Sequence, residues 1–202
     1  MLHAPASSSP LSVCLFCGSS NAADPAYLQA AADFGRDCAG QGVRLVYGGG
    51  GVGLMGAAAR AAREAEGQVL GIMPDFLRKQ ELLYDEVETV VVSNMHQRKQ
   101  AMFEESDAFA VFPGGIGTLE EVVELISWRR LNLHDKPIVF LNIGGFWDPF
   151  FALIQHTVTA NLTPDWIDDS WGVVGTAEAV LPTIRTLLEH APAETGDVAA
   201  KA

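Results

Sequence analysis

Ala108-Phe109-Ala110-Val111-Phe112, followed without a break by Pro113-Gly114-Gly115-Ile116-Gly117-Thr118-Leu119-Glu120-Glu121, is the stretch that decides the fold. Five apolar residues in a row have the length and composition of a strand buried on both faces. The glycine-rich turn lies at that strand's C-terminal end and leads into a segment expected to be helical over residues 119–132. Open α/β sheets bind their ligands at such carboxyl ends of strands. Glycines let backbone N–H groups close on an anion, and a helix N-terminus adds partial positive charge. Glu120 and Glu121 stand directly behind the loop, which places carboxylates beside any phosphate it holds. Thr118-x-x-Glu121 also has the form of a capping box, in which Glu121 would serve only as a cap.

Upstream, Asn94 is placed to cap a helix carrying His96, Arg98 and Lys99. Arg98 suits anion recognition because its planar guanidinium offers a fixed fork of donors. Taken alone, Arg98 and Lys99 could equally be solvated helix charges. His96 has no acidic partner nearby in sequence and reads as a structural or hydrogen-bonding residue. Glu81 falls in an irregular segment, residues 76–84, which is expected to be a mobile loop with a short helix.

The alternation extends along the chain. Strands are expected at residues 11–16, 43–47, 69–73, 87–92, 138–141 and 171–174. Helices are expected at 25–39, 53–66, 146–160 and 176–190, besides the one that Asn94 caps. Asp24-Pro25 marks one start, with Asp as the cap and Pro in the first turn. Strands alternating with helices predict an α/β, Rossmann-like, doubly wound and mainly parallel sheet with helices on both faces. Residues 11–190 form one domain, flanked by Pro/Ser/Ala-rich residues 1–10 and by 191–202, both expected to be disordered tails.

A second glycine run complicates the choice of site. Gly51-x-Gly53-x-x-Gly56 follows a strand, opens an Ala-rich helix, and has Asp75 about 20 residues further on. This matches a dinucleotide fingerprint and keeps an NAD(P)-binding protein in play. Against it, the chain is short for a two-domain dehydrogenase, and the other glycine loop is the one beside paired acids. Tight packing of a small-residue helix on the sheet would also explain these glycines.

Composition narrows the function classes. The net charge of −12 argues against tracking a nucleic acid polymer. Cys14, Cys17 and Cys38 are too few and odd in number for a disulfide framework and suit a reducing, cytoplasmic setting. Cys14-x-x-Cys17 lies in an apolar strand-like run and reads as a buried structural pair. No His or Cys spacing suggests a metal site, and no cofactor is called for. No segment has membrane-spanning length or the form of a secretory signal. Trp128, Ile126 and Val122 sit at helical spacing and read as core or interface.

Together, Val13–Ser20 (VCLFCGSS), Leu45–Gly56 (LVYGGGGVGLMG), Met95–Lys99 (MHQRK), Pro113–Glu121 (PGGIGTLEE) and His134–Pro137 (HDKP) resemble the LONELY GUY family. These are cytokinin riboside 5′-monophosphate phosphoribohydrolases, a group also described as lysine decarboxylases. The combination of the MHxRK and PGGxGTxxE patterns carries the resemblance, which spans residues 11 to 190. It implies hydrolysis of the N-glycosidic bond of adenine-type nucleoside 5′-monophosphates, cytokinin ribosides or AMP. It implies catalysis by Arg98 and Glu121, and a 5′-phosphate held by Gly114, Gly115, Gly117 and Thr118. Further substrate contacts implied are Glu81, Arg98, Lys99, Glu120 and Ser127. Ser127 stands where relatives often have Thr, which keeps a hydroxyl. The length matches the smaller, homodimeric class, whose active sites lie near the subunit interface. A molybdenum-cofactor carrier on the same fold is the non-catalytic alternative.

Overall fold

The computed structural model describes residues 10–190, so the expected tails lie outside it except for Pro10. Seven strands build one sheet among these residues: β1 (Ser12–Phe16), β2 (Arg44–Tyr47), β3 (Val69–Pro74), β4 (Glu88–Val92), β5 (Ala108–Val111), β6 (Ile138–Leu141) and β7 (Gly172–Val174). Their order is β4-β3-β2-β1-β5-β6-β7, and every neighbouring pair is parallel. Val13 sits in register with Leu45 on one side and Ala108 on the other. β5 is fully enclosed, as its unbroken apolar run requires.

The helices are α1 (Pro25–Gly40), α2 (Gly53–Glu64), α3 (Met95–Glu104), α4 (Ile116–Arg130), α5 (Asp148–Thr159) and α6 (Val180–His190). Phe34, Leu54, Ala58 and Ile184 place α1, α2 and α6 over one face of the sheet. Met102, Val122, Leu125 and Phe150 place α3, α4 and α5 over the other. The chain winds outward from β1 to β4, then α3 returns it across the sheet to β5 on β1's far side. The direction of winding therefore reverses between β1 and β5, and a crevice opens there beyond their C-terminal ends.

Local chemistry sets the helix starts. Asp24 Oδ1 accepts from Ala26 N at 2.8 Å and opens α1, with Pro25 in first position. Asn94 Oδ1 accepts from Gln97 N at 2.9 Å and opens α3. α4 departs from expectation. It begins at Ile116, capped by Gly115 in an extended conformation with no side-chain cap. Thr118 is thus a buried residue of the first turn, and Glu121 lies one turn further in. The capping-box reading is incorrect: apolar periodicity starts only at Leu119, but the unhindered Gly115 lets the helix begin three residues sooner.

Other boundaries differ for similar reasons. The C-terminal helical segment is split into a 3₁₀ turn, Ala177–Ala179, and α6. Pro182 falls in the first turn of α6, where its missing N–H costs nothing. Residues 75–87 join β3 to β4 with only a 3₁₀ turn, Asp75–Leu77. That loop is stitched to the glycine run: Gly51 N donates to Glu81 O (2.9 Å) and Leu82 O (2.7 Å), and Tyr84 N to Gly49 O (3.2 Å). The His134–Pro137 segment is a tether. Lys136 Nζ donates to Phe103 O (2.7 Å) and Ser106 O (2.8 Å), closing the C-terminal end of α3. His134 Nε2 lies 2.9 Å from Leu125 O in α4.

Candidate active site

The crevice holds a cavity of about 210 Å³. Cys17, Gly18 and Ser19 reach it from β1, Gly48 from β2, and Arg98 and Met102 from α3. The first turn of α4 contributes Gly115 to Thr118 with Glu121 behind, and Glu81 closes it from the 75–87 loop. Arg98, Glu81 and Glu121, far apart in sequence, therefore share one pocket.

Arg98 is 5% exposed, so its charge must be answered locally. Nη2 donates to Gly48 O at 2.8 Å and to Glu81 Oε2 at 3.1 Å. Nη1 reaches only the Met95 thioether at 4.0 Å, and buried Nε has no acceptor among the described residues. The fork is fastened on one side and has donor capacity left for a ligand oxygen. Gly48 is what allows this approach: a Cβ there would stand 2.0 Å from Arg98 Nη2. Sequence reasoning missed Gly48, because the contact runs through a carbonyl 50 positions away and has no side-chain signature.

Glu121 makes no hydrogen bond or ion pair among the described residues. Burial lifts its pKa to about 7. Arg98 and Lys99 oppose the rise, and Glu120 and Glu81 add to it. The carboxyl is therefore poised to hold or release a proton near neutrality. Lys99 is occupied beside it. Nζ pairs with Glu120 Oε1, and with Glu124 Oε2 at 2.9 Å, linking α3 to α4. Burial alone would lower the Lys99 pKa, but the hydrogen bonds it donates to Glu120 and Glu124 outweigh this and raise it.

The first turn of α4 leaves its amides open. The N–H groups of Gly115, Ile116, Gly117 and Thr118 meet no acceptor among the described residues. The N-terminus of α2 is different. Gly53 N donates to Asn21 Oδ1 (2.7 Å), Leu54 N to Gly18 O (3.0 Å), and Gly51 N is taken by the 75–87 loop. Gly53 has φ +57°, and a Cβ there would stand 2.4 Å from the Ser19 carbonyl carbon. The second glycine run serves close packing, with the amides of Gly51, Gly53 and Leu54 already bonded. Asp75 is exposed and pairs with Arg78 at 3.4 Å, away from that helix start.

Of the remaining sequence candidates, Gly114 sits behind the cavity wall against Thr118. Glu120 is exposed beside Lys99. Ser127 is not brought into the pocket. It lies on the outer face of α4, with Oγ donating to Val123 O at 2.7 Å. His96 is exposed on α3, and Trp128 packs edge-on against Phe103. Cys14 and Cys17 are free, buried and in opposite layers of the core, as three-residue spacing along a strand dictates. Burial raises both thiols well above their usual pKa, so neither is a ready nucleophile. Among the described residues no group of three or more His, Cys, Asp or Glu is arranged to hold a metal.

Comparison with known proteins gives the site a context. A family model described as "Possible lysine decarboxylase" matches residues 55–184. A cytokinin riboside 5′-monophosphate phosphoribohydrolase of Arabidopsis thaliana is 38% identical over 181 residues, 89% of this chain and 83% of the relative. One from Oryza sativa subsp. japonica is 36% identical over 181 residues, 89% of this chain and 74% of the relative. In structure, the molybdenum cofactor binding protein of Rippkaea orientalis superposes with a TM-score of 0.66 at 24% identity, over 91% of this chain and 99% of that one, a likeness of fold alone. With a pocket that joins Arg98, Glu121 and an open helix N-terminus, and with relatives this similar over about three quarters or more of their length, the chain belongs to the LONELY GUY family of cytokinin riboside 5′-monophosphate phosphoribohydrolases.

Proposed function

We propose that this protein hydrolyses the N-glycosidic bond of adenine-type nucleoside 5′-monophosphates, cytokinin ribosides and AMP among them, to free base and ribose 5-phosphate. The observation that carries this reading is the single pocket in which a buried arginine and an unpaired carboxyl adjoin unoccupied helix-terminal amides. The 5′-phosphate takes the N–H groups from Gly115 to Thr118, with Gly114 shaping the loop behind them. Anchoring there supplies binding energy remote from the reacting bond and sets the ribose against Glu121. Breaking the C1′–N bond develops positive charge on the sugar ring, which the surrounding carboxylates stabilise. Arg98 orients the substrate and assists departure of the base electrostatically, since a guanidinium does not give up its proton. Lys99 and Glu120 flank the substrate from the α3–α4 junction.

The active unit in this reading is a homodimer. The outer face of α4 exposes Ile116, Val123 and Leu131 in one stripe, with Glu120 towards its start and Arg130 at its end. Antiparallel pairing of two such helices about Val123 brings the apolar stripe of one against that of the other. It also carries Ser127 of the partner subunit towards the loop at the cavity mouth, which reconciles its outward position with a substrate contact. The reaction is assigned to the cytoplasm, in keeping with three unpaired cysteines. No helix among the described residues is long and apolar enough to cross a membrane.

The test is chromatographic detection of free base from AMP, isopentenyladenosine monophosphate and adenosine. Both monophosphates are expected to yield base, and adenosine at least about 100-fold more slowly, given the remote binding energy of the phosphate. Equal cleavage of adenosine and AMP would remove the phosphate anchor from the account.

A further inference from the structure

Two carboxyl groups line the cavity beside Arg98, and their surroundings differ in kind. Glu81 is ion-paired: Oε2 lies 3.1 Å from Arg98 Nη2, and that nitrogen is itself fixed by Gly48 O at 2.8 Å. The other carboxylate oxygen, Oε1, has no partner among the described residues. The backbone of Glu81 is held as firmly. Its N–H donates to Leu77 O at 2.9 Å, and its carbonyl accepts from Gly51 N at 2.9 Å. The next residue, Leu82, stands at φ +47°, a left-handed conformation that costs a non-glycine residue energy and persists only where the surroundings impose it. The loop is thus constrained to present this carboxylate at the cavity wall. Glu121 on α4 faces the same space with no partner for its carboxyl.

We infer that Glu81 is a second catalytic residue, whose carboxylate takes a proton from the attacking water while the Glu121 carboxyl gives its proton to the departing base. The inference rests on the hydrolase reading and divides the acid and base roles within it. The C1′–N bond breaks with its electron pair going to the base nitrogen, which is protonated from Glu121. The water oxygen bonds to C1′ and releases one proton to Glu81. One water is consumed, free base and ribose 5-phosphate leave, and exchange with solvent returns the proton from Glu81 to Glu121. Two carboxyl groups held in unlike environments are the usual means of dividing these roles at one pH.

The groups around Glu121 agree with its part. Arg98 and Lys99 face it from α3, Glu120 from α4, Glu81 from the loop, and the Cys14 and Cys17 thiols from β1. Burial dominates among them and keeps a proton on Glu121 up to about pH 7.

Initial rates of base release from AMP between pH 4.5 and 9 test this for the unsubstituted protein, Glu81→Gln, Glu81→Asp and Glu121→Gln. The unsubstituted protein is expected to give a bell, its alkaline limb near pH 7. Glu81→Gln is expected to lower kcat by about 10²- to 10⁴-fold and to abolish the acid limb while the alkaline limb stays. Glu81→Asp, which retains a carboxylate, keeps the acid limb and recovers part of kcat. Glu121→Gln removes the alkaline limb instead. If Glu81→Gln raises KM while kcat and both limbs match the unsubstituted protein, Glu81 is a substrate contact only and the inference is overturned. If Glu81→Asp and Glu81→Gln lose kcat equally with the acid limb intact in both, the residue only shapes the loop, and the inference is again overturned. Absence of base release by the unsubstituted protein would overturn the hydrolase reading itself, and the division of roles with it.

Discussion

At the scale of single residues, Glu121 is held at a cost to the fold. A carboxyl whose pKa rises to about 7 on folding binds its proton more tightly in the native state than in the unfolded chain. The native state is therefore penalised as pH climbs from the ordinary glutamate value through 7, and the penalty is full above that. Glu121→Gln should relieve it. Thermal unfolding is expected to show the variant more stable at pH 8, by on the order of 3 kcal/mol, with the gain vanishing near pH 4 as both states take up the proton. Catalysis should fall at the same time. A variant that melts lower than the parent at pH 8 would show that the carboxylate stabilises the fold. Arg98 and Glu121 were legible in sequence because each lies in a compact motif of distinctive residue types. The hold on Arg98 was not, since it depends on a carbonyl from another strand and on the lack of a side chain at Gly48.

At the scale of elements, two helices open on glycine-rich loops, and the sequence does not say which loop is free. The answer lies in Asn21 and Gly18, which take the first amides of α2 from the loop after β1. Such long-range hydrogen bonds leave no local pattern. By contrast, strands β1 to β6 and the starts of α1 and α3 could be read directly, because apolar runs and capping residues act within a few positions. The start of α4 was misplaced because glycine permits a helix to begin before its apolar face does. The difference between the two helix ends has a measurable result. Ribose 5-phosphate should raise the melting temperature, by an amount equivalent to about 2.7 kcal/mol at 100 times its Kd. NAD, which lacks a terminal phosphomonoester, should leave it unchanged at equal concentration. Stabilisation by NAD and not by ribose 5-phosphate would move the anion site to α2.

At the scale of the whole molecule, the exposed stripe on α4 adjoins the mouth of the pocket, since Ile116 belongs to both. Assembly and activity are therefore coupled in the proposed dimer. Val123→Glu sets two like charges against each other at the centre of that interface, where pairing is least able to tolerate them. Light scattering is expected to report a shift from dimer to monomer, and AMP hydrolysis to fall at least about tenfold as Ser127 of the partner subunit is withdrawn. A dimer that survives the substitution with full activity would place the subunit contact elsewhere. The parallel sheet and the two helical layers followed from alternation alone, whereas the order of the strands is seen only in the structure. The outward aim of Ser127 did not, because the resemblance that singled it out gives a position in sequence and not a direction in space.

The loops after β1 and β5 are tied to each other where Gly18 N donates to Pro113 O at 3.0 Å. That rung locks the floor of the crevice at a constant width. In the proposed reaction, whatever heterocycle the sugar carries, its phosphorylated end meets the same seat. Freedom to admit larger or smaller bases must then reside in the outer flank, residues 75–87, which are laced on by backbone bonds and belong to no helix or strand beyond one short turn.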